Sequence, residues 1–112
     1  MPVRLDKPWI ALTEENVANL GGHLGVYQLA NSASEIVYIG VAGGRSRHGL
    51  RGMLTDALHA PPAGAMQFRY EVNMAYHTRY LEILQAYRFD HDCLPPGNRD
   101  IDEKSLGRLR LG

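Results

Sequence analysis

The chain is short of nearly everything that would announce a specialised class. It has one cysteine, Cys93, among 112 residues. One thiol cannot close an internal disulfide, so a reducing cytoplasm is the expected compartment. No Cys or His cluster has zinc-ligand spacing; His23, His48, His59, His77 and His91 are scattered along the chain. No apolar run is long enough to span a bilayer, which predicts no membrane partner. Residues 1–7 lack the apolar stretch of a signal peptide. There is no Gly-x-x-x-x-Gly-Lys phosphate loop and no Gly-x-Ser-x-Gly nucleophile turn. A basic excess is also missing. The formal net charge is zero, which argues against a protein whose main work is a strong, sequence-independent grip on nucleic acid.

The charge that is present is unevenly placed. Arg45, Arg47, His48 and Arg51 fall in one short segment with no acidic residue among them, whereas acids cluster at Glu14-Glu15, Asp90, Asp92 and residues 100–103. A local basic site on a neutral protein fits these numbers. The length suits one compact domain and not two.

Patterning supplies the elements. Residues 12–20 read as a short helix, with Thr13 as N-cap and Gly21-Gly22 as the stop. Residues 25–29 and 36–41 are runs of β-branched and aromatic residues, and the turn formers 31–35 join them as an antiparallel hairpin. Both faces of the second strand are largely apolar, which predicts a place in the middle of a covered sheet. A glycine-rich loop leads to a helix over residues 50–58, with Leu50, Met53, Leu54, Ala57 and Leu58 on one stripe. Pro61-Pro62 ends it. Residues 68–74 alternate as a third strand. Residues 76–89 form the longest helix, with Tyr76, Tyr80, Ile83, Leu84 and Tyr87 as its apolar stripe, and Pro95-Pro96-Gly97 breaks the chain again. The expected architecture is a small α+β domain of order α-β-β-α-β-α, with a three-stranded antiparallel sheet flanked by helices.

The hairpin carries two tripeptides, Gly25-Val26-Tyr27 and Tyr38-Ile39-Gly40. Tyr27 and Tyr38 read first as strand aromatics of a small core. The flanking glycines weaken their strands and imply a close approach of backbone or ligand. Glu82 lies opposite the apolar stripe of the long helix. It reads either as a solvated carboxylate or as one facing a cleft, where it would hold a hard cation through oxygen.

Taken in order, these residues resemble the GIY-YIG nuclease domain over roughly residues 22–99, leaving 100–112 as a polar tail. Gly25-Val26-Tyr27 resembles the first motif of that family and Tyr38-Ile39-Gly40 the second. Arginines, a helical glutamate and Asn98 follow in the family's order. The resemblance implies hydrolysis of phosphodiester bonds, in DNA ahead of RNA, with Mg²⁺ or Mn²⁺. It implies that Tyr27 serves or relays to the general base, Tyr38 orients the network, and Arg51 holds the scissile phosphate. It implies that Glu82 binds the metal and Asn98 positions the site, with Arg45, Arg47 and His48 as further substrate contacts. It also implies structure-selective cutting, or specificity supplied by a protein partner. The alternative is a fold-sharing module that binds nucleic acid or protein without cleaving.

Overall fold

The computed structural model describes residues 4–44 and 46–98. In chain order the elements are β1 (Ile10–Ala11), α1 (Glu14–Ala18), β2 (Gly25–Ala30), β3 (Ile36–Ala42), α2 (Gly49–His59), β4 (Gln67–Val72) and α3 (Tyr76–His91). Short 3-10 turns occupy Pro62–Gly64 and Pro96–Asn98. Four antiparallel strands form one sheet in the order β1-β4-β2-β3. The domain is therefore α+β, as the patterning predicts, but the sheet has four strands rather than three. The extra strand is two residues long, too short for any periodicity to reveal, and it exists only by pairing with Phe68 and Gln67 of β4.

The hairpin forms with Tyr27 opposite Gly40 and Leu29 opposite Tyr38. Its turn is held by Asn31, whose side-chain oxygen accepts from the Ala33 and Glu35 amides, both at 3.0 Å. Thr13 caps α1 by accepting from the Asn16 amide at 3.2 Å.

Alternation along β2 sorts the core into two layers. Tyr27 and Leu29 pack with Phe68 and with Leu50, Leu54 and Ala57 of α2, under Val17 of α1. Val26 packs on the other face with Ile39 and with Ile83 and Leu84 of α3. Every residue of β2 is buried, because β2 has a neighbour on each side and helices on both faces.

The interior strands are thus β4 and β2, not β3 as the apolar pattern of β3 suggests. Strand β3 is the sheet edge, and a different device covers it. The side chain of Asn98 lies 2 % exposed against the edge. Its oxygen accepts from the Ile39 amide at 2.8 Å, and its nitrogen donates to the Ile39 carbonyl at 2.9 Å. One asparagine satisfies both outward backbone groups in the middle of the Tyr38-Ile39-Gly40 tripeptide. An unpaired edge there would leave two polar groups without partners and a template for foreign strands. The polar tail 100–112 and Arg45 lie outside the described residues.

Candidate functional site

The two phenols meet as the tripeptides suggest. The Tyr27 and Tyr38 ring centroids are 6.0 Å apart with planes tilted by 41°. Gly40 has a steric reason to be glycine. A Cβ there would lie 2.2 Å from Tyr27 Cζ, so the ring of Tyr27 rests on bare backbone of its cross-strand partner. Tyr27 is 2 % exposed and Tyr38 is half-buried.

Burial pushes the Tyr27 phenol far above its ordinary value. The neighbouring Tyr38, the hydrogen bond with Tyr38, and the charges of Tyr80 and Asp56 push the same way. Tyr27 therefore stays protonated at physiological pH. It is a hydrogen-bonding hydroxyl and not a ready base. Because its folded pKa is raised, the stability linked to it is complete below the unfolded value of about 10 and falls as pH rises above it. In an alkaline absorbance titration of the six tyrosines, one is expected to ionise only with unfolding. Tyr27→Phe should abolish that late step.

The basic segment forms the N-terminal end of α2. Arg47, His48 and Arg51 line an open cleft of about 340 Å³ with Gly52, Thr55 and Asp56. The turn into the helix is left-handed at both His48 (φ 65°) and Gly49 (φ 57°). A Cβ on Gly49 would lie 2.4 Å from the Gly22 carbonyl oxygen, so a side chain would break this entry twice over. The Leu50 amide donates to the His23 carbonyl at 2.8 Å, which ties the helix start to the segment leading into β2. From the other side, the Tyr76 hydroxyl accepts from the Gly44 amide at 3.1 Å, and the Ser46 hydroxyl accepts from the Gly43 amide at 3.0 Å. The loop that presents Arg47 and His48 is therefore closed on itself by Ser46 and anchored to α3 by Tyr76, while the helix it enters is tied to the segment before β2.

The first turn of α2 has no acidic residue and His48 makes no side-chain cap. Cations at a helix N-terminus oppose the macrodipole, whereas an anion there is favoured by the dipole and by the basic side chains together. Asp56 is the one carboxylate among the described residues lining this cleft.

Glu82 is elsewhere. Arg79 binds it, and the same guanidinium holds Glu71 through Nε at 2.9 Å and Nη2 at 3.3 Å. Glu71 pairs with Val26 across the sheet, so it lies on the α3 face, opposite Tyr27. Burial alone would raise the Glu71 carboxyl, but hydrogen bonds from Arg79 and Asn73 outweigh it and hold the carboxyl below its ordinary range. For Arg79, burial pulls the guanidinium down and the two carboxylates more than offset it. The cavity beside Glu82 is lined by Arg4, Lys7, Arg79, Glu71 and Asn73 among others, none shared with the α2 cleft.

This donor set does not fit Mg²⁺ or Mn²⁺. A hard cation at Glu82 would sit beside the guanidinium already neutralising that carboxylate. Among the described residues no three His, Cys, Asp or Glu side chains gather to hold a metal. Of the expected site residues, the fold brings Tyr27 and Tyr38 together. It gathers Arg47, His48 and Arg51 in a second group over the same face. It uses Asn98 to clamp the tripeptide edge and sends Glu82 to the opposite face. Asp56 lines the basic cleft, Tyr76 holds its loop and Arg79 binds Glu82, without being among the site residues the sequence singles out. The i,i+3 spacing of Arg79 and Glu82 was a readable ion-pair signal; the other two act through tertiary contacts.

A family model described as a domain of unknown function (DUF7508) matches residues 1–90 of the chain. No curated protein and no solved structure matches it. No described helix is long and apolar enough to cross a membrane.

Proposed function

The chain belongs to the DUF7508 family, and we propose that it is a GIY-YIG-type domain that grips the phosphate backbone of nucleic acid without cutting it. The observation that carries this reading is a separation. Arg47, His48 and Arg51 converge at an anion-favouring helix start on the tyrosine face, while the carboxylate expected to hold the metal is bound by Arg79 on the other face. On this reading Tyr27 and Tyr38 are the rigid floor that fixes α2, through packing with Leu50 and Leu54. Phosphate oxygens would be held by the arginine forks, with the positive end of the helix dipole behind them. DNA ahead of RNA is the partner the tripeptide resemblance favours. Zero net charge keeps the grip modest and local.

The test is fluorescence anisotropy with a short duplex over about 50 to 200 mM salt. The logarithm of affinity should fall with the logarithm of salt, and Arg47→Ala and Arg51→Ala should each reduce that slope by about one. Binding that ignores salt, or that neither substitution weakens, would sink the reading. One observation favours a second reading, phosphodiester hydrolysis: the hydrogen-bonded phenol pair itself. Salt-dependent binding accompanied by metal-dependent cutting would select it.

A further inference from the structure

The α3 face holds a second polar centre that the phosphate cleft does not use. Arg69 of β4 stacks its guanidinium over Trp9, with Cζ 4.1 Å from the ring centroid. Its Nε donates to Gln28 Oε1 at 2.7 Å and its Nη1 to the Lys7 carbonyl at 3.1 Å. All three partners are neutral. Arg4 and Arg79 make ion pairs, and among the described residues Arg69 makes none. Asp6 acts on it only at a distance, and burial holds the guanidinium below its ordinary value. A half-buried, well-oriented cation with no carboxylate in contact is uncommon.

Arg69 and Gln28 line a cavity of about 80 Å³ with Ile36, Ile83 and Ala86. Gln28 is only 4 % exposed, so its side chain fixes the guanidinium fork in one orientation. The volume exceeds the roughly 10–15 Å³ that admits one water and falls below the ~150 Å³ that takes benzene. Arg4, Asp90 and His91 line the same cavity. Arg4 and Asp90 form an exposed two-bond ion pair there, at 2.7 and 2.8 Å. Among the described lining residues one carboxylate stands against two guanidiniums, a net positive set.

We propose that this cavity binds a small aliphatic carboxylate. Its oxygens meet the Arg69 guanidinium and its short alkyl chain lies against Ile36, Ile83 and Ala86. Charge selects the acid, and the volume limits the chain to a few carbons. The site stands apart from the phosphate cleft and does not depend on it.

Sodium propionate is titrated into the isotopically labelled full chain, with sodium chloride and propionamide as controls. The arginine Nε–Hε and glutamine side-chain amide signals are followed by NMR. Saturable shifts are expected at Arg69 and Gln28, with a midpoint on the order of 1 to 10 mM, the range that five heavy atoms reach. Propionamide should produce none of them. Arg69→Gln should weaken the midpoint more than about tenfold, the loss of one charge-assisted contact. Arg4→Gln, which removes only the exposed pair, should weaken it less. If Arg69→Gln fails to fold, the wild-type shift map still decides. Shifts that grow linearly without saturation, that chloride reproduces, or that avoid Arg69 and Gln28 overturn the proposal.

Discussion

An Asn98→Ala variant is expected to lose about 2 to 4 kcal/mol of unfolding free energy. The substitution strips partners from two backbone groups at once. The Ile39 amide and carbonyl both point away from the sheet, and both end on the Asn98 side chain at 2.8 and 2.9 Å. Each buried group left unsatisfied costs about 1 to 3 kcal/mol, and the edge position lets water recover part of it. Urea unfolding reads the loss directly. Asn98→Asp should not rescue it. It keeps an acceptor for the Ile39 amide but sets a second oxygen against the Ile39 carbonyl. A loss below about 0.5 kcal/mol, the size of an ordinary surface change, would mean that the clamp does not hold this edge.

The second large effect is expected from Gly40→Ala, again about 2 to 4 kcal/mol. The new methyl would lie 2.2, 2.4 and 2.6 Å from Tyr27 Cζ, Oη and Cε1. These atoms are the far end of a side chain, which on a surface would swing aside. Here the ring is 2 % exposed and wedged among Leu50, Leu54 and Phe68, so it has nowhere to go. The diagnostic is coupling. Tyr27→Ala alone should cost about 3 to 5 kcal/mol as a buried aromatic truncation. The double variant should cost at least about 1 kcal/mol less than the sum, because each change relieves the other. Additive losses would show that Gly40 is needed for some reason other than the ring above it.

These two residues show how far the sequence could be read. The hairpin, its turn and the three helices were legible because each rests on local pattern: β-branched runs, an asparagine-led turn, apolar stripes at helical spacing. Tyr27 and Tyr38 were legible as a pair for the same reason. Strand β1 is not, since two residues carry no period and its warrant is the pairing with Phe68 and Gln67 across the sheet. The centre of the sheet was misassigned because an apolar strand reads alike whether a neighbouring strand or a tucked asparagine covers its edge. Glu82 was the costliest ambiguity. Helical spacing put it opposite the apolar stripe, but spacing cannot tell solvent from a cleft or name the occupant. Its partner Arg79 is shared with Glu71, a residue on another element. The basic segment was legible as charge, while its geometry depends on left-handed His48 and Gly49 and on the Tyr76 hydroxyl, which no local pattern encodes.

The central claim is that this face holds phosphate without a metal carboxylate at Glu82. The direct measurement incubates end-labelled duplex, nicked and branched DNA with the protein in Mg²⁺ or Mn²⁺ and resolves the products on a denaturing gel. Wild type and Glu82→Gln are run side by side, each shown to bind in a salt-dependent manner. The account predicts intact DNA in every lane and equal binding by both proteins. Metal-dependent cleavage by wild type that disappears in Glu82→Gln would contradict it.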